Sequence, residues 1–562
     1  MNVSLQKSDF RLAKEKPIAS IEQRAIGHVV SVSGSRAVAV LEPAGRQIPR
    51  VQLGALLKIL TPTSAVMGMV TGVSAPMPSS QEQDELIALV ELNLVGEITA
   101  GQTDGAKFRV GVSNAPTLGD ALMAAHRDDL SLIFAPEKVA TIDIGNLYQD
   151  ASVAARLKVD DLLSKHFIIV GSTGSGKSCA LTNILQRILD DHKHAHIVMM
   201  DIHNEYHTAF KNKVETINLN NFNLPFWLLN FQELTAALTS GDEHRDAETE
   251  ILSEGVVHAK RRYSDGIAGR LRKAGDISHV TVETPTPFRL ADVISFIDEQ
   301  LGRLERTQNT LPYRKLRARI EMMIADQRYN FMFGSLTVQD TMADILGRLF
   351  RVPDEGKPIT VIDLSIVPPE ILDVVISLIS RLAFDVAVWS KGRLPTLLVC
   401  EEAHRYAPAV DRGQFLPTRQ ALARIAKEGR KYGISLALVT QRPSDLDSTI
   451  LSQCSTVIAL RLSSDRDQQV MRSSAHEGMM DLLDFLPLLG DREAIIMGQG
   501  ASMPMRIIFA DLESHAIPRN LNGGFSASWS APNMDRAELE NLVSRWRQSG
   551  REKSERIAVS ET

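Results

Sequence analysis

His166-Phe-Ile-Ile-Val-Gly171-Ser172-Thr173-Gly174-Ser175-Gly176-Lys177-Ser178-Cys179 is the stretch on which the fold turns. Four apolar or bulky residues lead into a glycine-rich loop, and an apolar-periodic run (Ala180, Leu181, Ile184, Leu185, Ile188) leaves it. The order is strand, loop, helix. Gly171, Gly174 and Gly176 let the backbone wrap with its N–H groups facing inward, a cradle for phosphate oxygens. The helix starting near Lys177 adds the positive end of its dipole. In such a loop the lysine reaches the β- and γ-phosphates, and the hydroxyl of Ser178 is placed to ligate Mg²⁺. The expected ligand is therefore ATP with Mg²⁺, held by residues Gly171 through Cys179. A chance glycine-rich turn does not come with a buried strand before it and an apolar helix after it.

Working outward, short Val- and Ile-rich runs recur at 166–171, 196–201, 359–364, 396–400, 435–440, 456–460 and 493–498. Continuous apolar runs of this length are what parallel strands buried on both faces require. Helix-like segments intervene, among them 179–189 and 420–430. The expected fold is α/β: a RecA-like P-loop core with a parallel-rich sheet, over residues 159–229 and 350–515. A helical insertion fills 230–349, where strand patterning stops. Ahead of the core, valine-rich runs flank Ser33-Gly34-Ser35, a hairpin signal, and strand-like runs follow at 55–60, 66–73, 86–94 and 107–112. This predicts a small N-terminal β-barrel over 25–115. Residues 1–24 read as a flexible arm, 116–158 as a linker, and 516–562 as a C-terminal segment with a mobile tail.

Two further positions complete the expected site. Leu397-Leu398-Val399-Cys400-Glu401-Glu402 is an apolar strand ending in two carboxylates. Glu401 is assigned to the Mg²⁺ shell, and Glu402 to polarising the attacking water. The run 435–441 ends at Gln441, a polar side chain at a strand's carboxyl end, where α/β sheets bind ligands. It is read as a γ-phosphate sensor or water-orienting group, against the plainer reading of a loop residue.

Composition narrows the class. The chain has 562 residues, 44% hydrophobic and 23% charged, and a net charge of −6, so no global basic field points to nucleic acid. Aromatic content of 5% argues against extended base-stacking platforms. Cys179, Cys400 and Cys454 lack metal-type spacing. No apolar run approaches the roughly 20 residues of a membrane span, and no secretory leader is seen, so a cytoplasmic location with no membrane contact is expected.

These pieces together resemble the HerA branch of the HerA/FtsK superfamily of DNA-pumping ATPases. Asp201-Ile-His-Asn-Glu-Tyr206 is similar to that family's Asp-x-His-x-Glu-Tyr segment, and Glu401-Glu-Ala-His404 to its acidic box. Glu428-Gly-Arg-Lys-Tyr-Gly433 followed by Thr440-Gln-Arg-Pro443 is similar to its arginine and sensor region, and Ile26–Gly34 to its N-terminal barrel. The resemblance implies a homo-hexameric ring with double-stranded DNA in its channel, and an arginine completing the neighbour's site. Arg430 is the candidate and Arg442 the fallback; without the resemblance, Arg430 reads as a surface arginine favoured by a helix C-terminus. It also implies a partner effector, a nuclease or an NAD-consuming enzyme, docking on the barrel, in DNA end processing or anti-phage defence. The expected activity is ATP-driven DNA translocation. The alternative is an ATPase scaffold that assembles and regulates such an effector with little movement of its own.

Weaker signals remain. His192, His194 and His196 alternate, but no converging ligand set supports a metal. Lys260-Arg-Arg262 with Arg270, Arg272 and Lys273, and Arg314, Lys315, Arg317 and Arg319, are basic clusters. A solvated helix face is the favoured reading over DNA phosphate contact. The loop 405–419 is a further pore-facing candidate, and His203 and Glu205 are placed to support the phosphate site.

Overall fold

The computed structural model describes residues 25–42, 49–75, 88–101, 105–134, 139–239, 241, 243–268, 280–303, 309–334, 338–409, 416–474, 480–518, 529–530 and 535–548. The predicted arm at 1–24, the basic residues Arg270, Arg272 and Lys273, residues 410–415 of the loop after the acids, and the end of the tail lie outside them. Contacts divide the chain into two compact units. One holds Met1–Glu137, Leu147–Ala154 and Glu477–Leu482, and the other holds the remainder.

The first unit is built on antiparallel strands β1 (Gly27–Ser33), β2 (Arg36–Leu41), β3 (Leu56–Leu60), β4 (Ser64–Ser74), β5 (Ala88–Gly101), β6 (Gly105–Val110) and β7 (Ala121–Ala124). Their order is β2-β1-β7-β3-β4-β5-β6, and β2 also pairs with β5, which closes six strands into a barrel and leaves β6 on its rim. The β1–β2 hairpin turns on Gly34, whose φ of 60° is a left-handed conformation that glycine adopts without a Cβ penalty. Val29, Ala39, Ile59, Val66, Val90 and Leu122, one from each closing strand, fill the interior. β4 slips register against β5 at Met67/Gly68 and Val70/Gly72, irregularities of the kind that bend strands around a barrel.

The second unit is an 11-stranded sheet, in the order β12-β13-β11-β14-β15-β10-β16-β17-β18-β8-β9. Its strands are β8 (Thr141–Leu147), β9 (Ala154–Lys158), β10 (His166–Val170), β11 (His196–Asp201), β12 (Val214–Ile217), β13 (Ile359–Asp363), β14 (Thr396–Cys400), β15 (Ile434–Thr440), β16 (Cys454–Ala459), β17 (Glu493–Gly498) and β18 (Met505–Phe509). Every residue of β10, β13, β14 and β15 is buried, as expected of central strands covered on both faces. β10 to β16 pair in parallel, whereas β17 runs antiparallel to both β16 and β18.

Two expectations change here. The stretch 116–158 is not a plain linker, since β7 belongs to the barrel and β8 and β9 to the edge of the large sheet. The run 493–498 is an antiparallel strand, not another parallel one. Helices Phe231–Leu238, Arg245–Ala268, Leu290–Arg303, Leu311–Ala325 and Met342–Phe350 occupy the predicted helical segment. Buried Glu233, in the first of these, accepts from Ser377 at 2.9 Å and from Arg381 at 3.1 Å, both in the helix Pro369–Trp389 that follows β13.

Candidate nucleotide site

Parallel pairing brings the carboxyl ends of β10, β11, β14 and β15 to one edge of the sheet, and with them Gly171, Asp201, Glu401 and Gln441. β15 lies between the phosphate-loop strand β10 and the acidic strand β14. Gln441 thus stands between the loop and the acids. It accepts a hydrogen bond from Thr173 Oγ1 and donates one to Glu402 Oε1, joining the two motifs.

The loop wraps as its glycines predict. Gly174 (φ 75°) and Gly176 (φ 95°) occupy the left-handed region, and the helix Lys177–Asp191 begins directly after. Ser172 donates its N–H to Arg461 O at 2.8 Å, which anchors the loop to the end of β16. Lys177 is only 6% exposed and its Nζ folds back to donate to Ser172 O at 3.1 Å. Burial pushes its pKa down, opposed by the negative charges of Glu402, Glu401 and Glu205. Ser175 Oγ is buried without a partner, a hydroxyl free for a phosphate oxygen. Cys179 follows in the first helical turn, its thiol pushed up by burial and by Glu205.

Carboxylates crowd the other side. Ser178 Oγ donates to Glu205 Oε2 at 3.2 Å. Asp201 is fully buried and accepts from the N–H groups of His203 (3.1 Å) and Tyr206 (3.0 Å), which fixes the turn that carries Glu205. Glu401 is 3% exposed, and its Oε2 has no partner. Burial holds its pKa well above the ordinary carboxylate value, helped by the charges of Asp201, Glu205 and Glu402. Glu402 takes a left-handed backbone (φ 47°, ψ 44°), a costly conformation for a residue with a side chain. The kink turns its carboxylate toward Gln441 and His404, away from the path a continued strand would give it.

Mg²⁺ fits this donor set in the way it fits most nucleotide sites. Among the described residues no group of three or more His, Cys, Asp or Glu side chains forms a cage for a metal. Mg²⁺ keeps several waters and is commonly bound by one or two protein groups plus substrate phosphates. Ser178 Oγ and the partnerless Oε2 of Glu401 are groups of that kind.

The two arginines part company. Arg430 is exposed on the short turn Gly429–Tyr432 after the helix Leu416–Glu428, just before β15 begins. Because β15 runs toward the phosphate loop, Arg430 lies at its far end. At about 3.3 Å per residue the strand puts on the order of 20 Å between them. Arg430 cannot serve the phosphate loop of its own chain. Arg442 follows Gln441 on the near edge, 3.8 Å from Asp445, with 68% of its side chain exposed.

Other predicted groups are accounted for elsewhere. His194 pairs with Asp354 at 2.7 Å and His196 with the carbonyl of Phe350 at 2.8 Å, so these rings serve the fold. Lys260 is buried, donating to the carbonyls of Val282 and Thr284 at 2.7 Å each, and is no surface contact for DNA. Arg262 pairs with Asp292 at 3.3 Å, and Arg317 with Asp298 at 3.2 Å. His404 and Thr440 were named only within motifs and given no role; His404 Nδ1 lies 3.2 Å from Glu402 Oε2 and 3.0 Å from Thr440 Oγ1. Their signal was faint: a histidine two residues past paired acids, and a hydroxyl ending the strand before Gln441.

A phosphate cradle on a buried strand, joined through a glutamine to paired acids, defines a P-loop ATPase. Residues 142–383 match the family model of the central domain of helicase HerA. The chain is 26% identical over 452 residues to the DNA double-strand break repair helicase HerA of Pyrococcus furiosus, covering 75% of this chain and 77% of that one. The helicase of the same name from Sulfolobus acidocaldarius is 26% identical over 395 residues, 69% of this chain and 72% of its own. Among solved structures, VirB4 of Thermoanaerobacter pseudethanolicus is similar over 66% of this chain and 97% of that chain, at 16% identity and a TM-score of 0.46. The chain is a P-loop ATPase similar to the HerA helicases.

Proposed function

We propose that this protein hydrolyses Mg²⁺-ATP to move along or open duplex DNA; the relatives it resembles are named as DNA double-strand break repair helicases. The observation that carries the catalytic part is the bridge from Thr173 through Gln441 to Glu402. A γ-phosphate in the loop would meet Lys177 and the loop N–H groups on one side, and Gln441 and Glu402 on the other. In this reading Lys177 neutralises the β- and γ-phosphates and Gln441 reports the γ-phosphate. Glu402, held by its kinked backbone, takes the proton of the attacking water. Ser178 and Glu401 would hold Mg²⁺, which would supply charge neutralisation when bound.

Arg430 then works in a neighbouring copy's site, since its own lies at the far end of β15. That role calls for assembly in a ring, of six copies by the family resemblance, with duplex DNA in the channel. An effector enzyme docks on the barrel, whose exposed Val110 and Leu118 offer apolar contact. End processing and anti-phage defence are both uses of such a machine. No helix among the described residues is long and apolar enough to cross a membrane.

The test is ATP turnover with and without linear duplex DNA, together with displacement of a third strand from a triplex. Duplex should stimulate hydrolysis, displacement should require ATP, and DNA affinity should weaken steeply with salt as phosphate contacts release counterions. Stimulation by a bound effector alone, with no displacement, would favour the scaffold over the motor.

A further inference from the structure

Glu402 is the most constrained side chain at the site, and one of its two oxygens lacks a proper donor. Oε1 accepts from Gln441. Oε2 is buried with no aligned hydrogen bond, yet His404 Nδ1 is 3.2 Å away. The same Nδ1 is 3.0 Å from Thr440 Oγ1, which itself accepts from the N–H of Arg442 at 3.1 Å. Thr440 is fully buried as the last residue of β15, and His404 is mostly buried on the turn after the acids. The ring is therefore pinned between the end of β15 and the carboxylate, by residues two apart in the chain on one side and next to Gln441 on the other.

The carboxylate decides the tautomer. A bare Nδ1 lone pair would face the negative Oε2 at 3.2 Å, whereas an Nδ1–H turns the positive end of its dipole toward that charge. We propose that His404 is a positioning residue for hydrolysis: its single Nδ1–H lies between two acceptors, Thr440 Oγ1 at 3.0 Å and Glu402 Oε2 at 3.2 Å, and steadies Oε2 while Gln441 holds Oε1. When Gln441 turns toward the γ-phosphate, Oε1 is released to the attacking water. His404 is then the group that keeps the carboxylate aimed. Nothing else among the described residues offers Oε2 a donor at this distance.

This rests on the reading of Glu402 as the group that takes the water's proton, and the experiment separates the two. The variants are His404→Ala, His404→Asn, His404→Gln, Glu402→Gln and the double Glu402→Gln/His404→Ala. Each is assayed for steady-state ATP hydrolysis and for Mg²⁺-ATP affinity. Loss of a group orienting a functional side chain commonly costs about 10- to 100-fold. His404→Ala should lose that much in kcat with nucleotide affinity within about twofold of wild type. Asn places its amide N–H where Nδ1–H was and should restore most of the rate; Gln places it where Nε2 was and should not. The double variant should be no slower than Glu402→Gln alone, since the histidine acts only through that carboxylate.

The proposal is overturned if His404→Ala keeps the wild-type rate, if Asn rescues no better than Gln, or if the double variant is slower by the full product of the singles. Should His404→Ala fail to bind ATP, the Asn and Gln pair decides alone. If Glu402→Gln itself turns over at the wild-type rate, the underlying reading of Glu402 has failed. A dead Glu402→Gln beside a fully active His404→Ala sinks only the role of His404.

Discussion

Two buried lysines in this molecule have opposite jobs, and comparing them shows what separates a catalytic cation from a structural one. Lys177 is 6% exposed and Lys260 is 2% exposed, and burial lowers the pKa of both. Lys260, in the long helix Arg245–Ala268, has its ammonium between two carbonyls and 5.7 Å from the centre of the Phe288 ring. Its hydrogen bonds tie that helix to the chain around residues 282–284. Lys177 has one backbone partner, in its own loop, and sits among three carboxylates at an edge where four strands end. The first lysine is finished as it stands. The second has donors to spare and a surplus of negative charge around it, a state suited to an incoming polyphosphate with its metal ion.

That contrast breaks first, if it is wrong, at Lys177. Lys177→Ala should bring ATP turnover below about a tenth of wild type while the fold persists, because Lys177 is the one cation within the phosphate loop 171–178 itself. Turnover retained above that level in purified, folded protein would erase the distinction.

Arg430 extends the comparison to a cation that is exposed and distant from its own site. Arg430→Ala should lower hydrolysis by roughly 10³-fold, the scale of an arginine supplied from a neighbour. ATP affinity in the same chain should hold. Mixed assemblies with Lys177→Ala subunits sharpen this, because some interfaces would pair an intact loop with an intact arginine. A monomeric form hydrolysing at the full rate of the assembly would remove any need for a neighbour.

The smallest effect belongs to Lys260, and it is one of stability. Lys260→Met should leave turnover per folded molecule unchanged. It strands two half-buried carbonyls, a cost of about 1–3 kcal/mol by denaturant unfolding. Its pH dependence carries a sign. Burial lowers the ammonium to about 8 from an ordinary 10.5, so between those values the unfolded chain binds the proton that the folded one has released. The stability this group contributes is full above 10.5 and is lost as pH falls to about 8. Lys260→Met should lack that rise, and parallel stability curves for the two proteins would contradict it.

The same two lysines explain how much could be read in advance. The phosphate loop was legible because its chemistry is local: glycines, lysine and serine act within one turn, and the flanking runs declare strand and helix. All seven expected strands of the large sheet formed for the same reason, since continuous Val and Ile runs have few alternatives. Lys260 was misleading because Lys260-Arg-Arg262 looks like one basic cluster, while the helix turns Lys260 inward and pairs Arg262 with Asp292. β7 was read as linker because it has only four residues and its partners β1 and β3 are remote in sequence, and β8 and β9 because polar residues interrupt their apolar runs. The helical register of the insertion was plain, but the clamp from Glu233 to Arg381 joins residues far apart. His404 was quoted within the acidic box but given no role of its own, because that role depends on the left-handed kink at Glu402 and on a threonine from a neighbouring strand.

The central claim is that Glu402 takes a proton from water while Lys177, Ser178 and Glu401 hold the nucleotide without it. The direct measurement is the fate of radiolabelled Mg²⁺-ATP on Glu402→Gln, trapped on a filter and resolved after timed incubation. The account predicts binding near wild-type affinity and label recovered as ATP over many wild-type turnover times. Label recovered as ADP at the wild-type rate, or loss of Mg²⁺-ATP binding by Glu402→Gln while Glu401→Gln retains it, would contradict it.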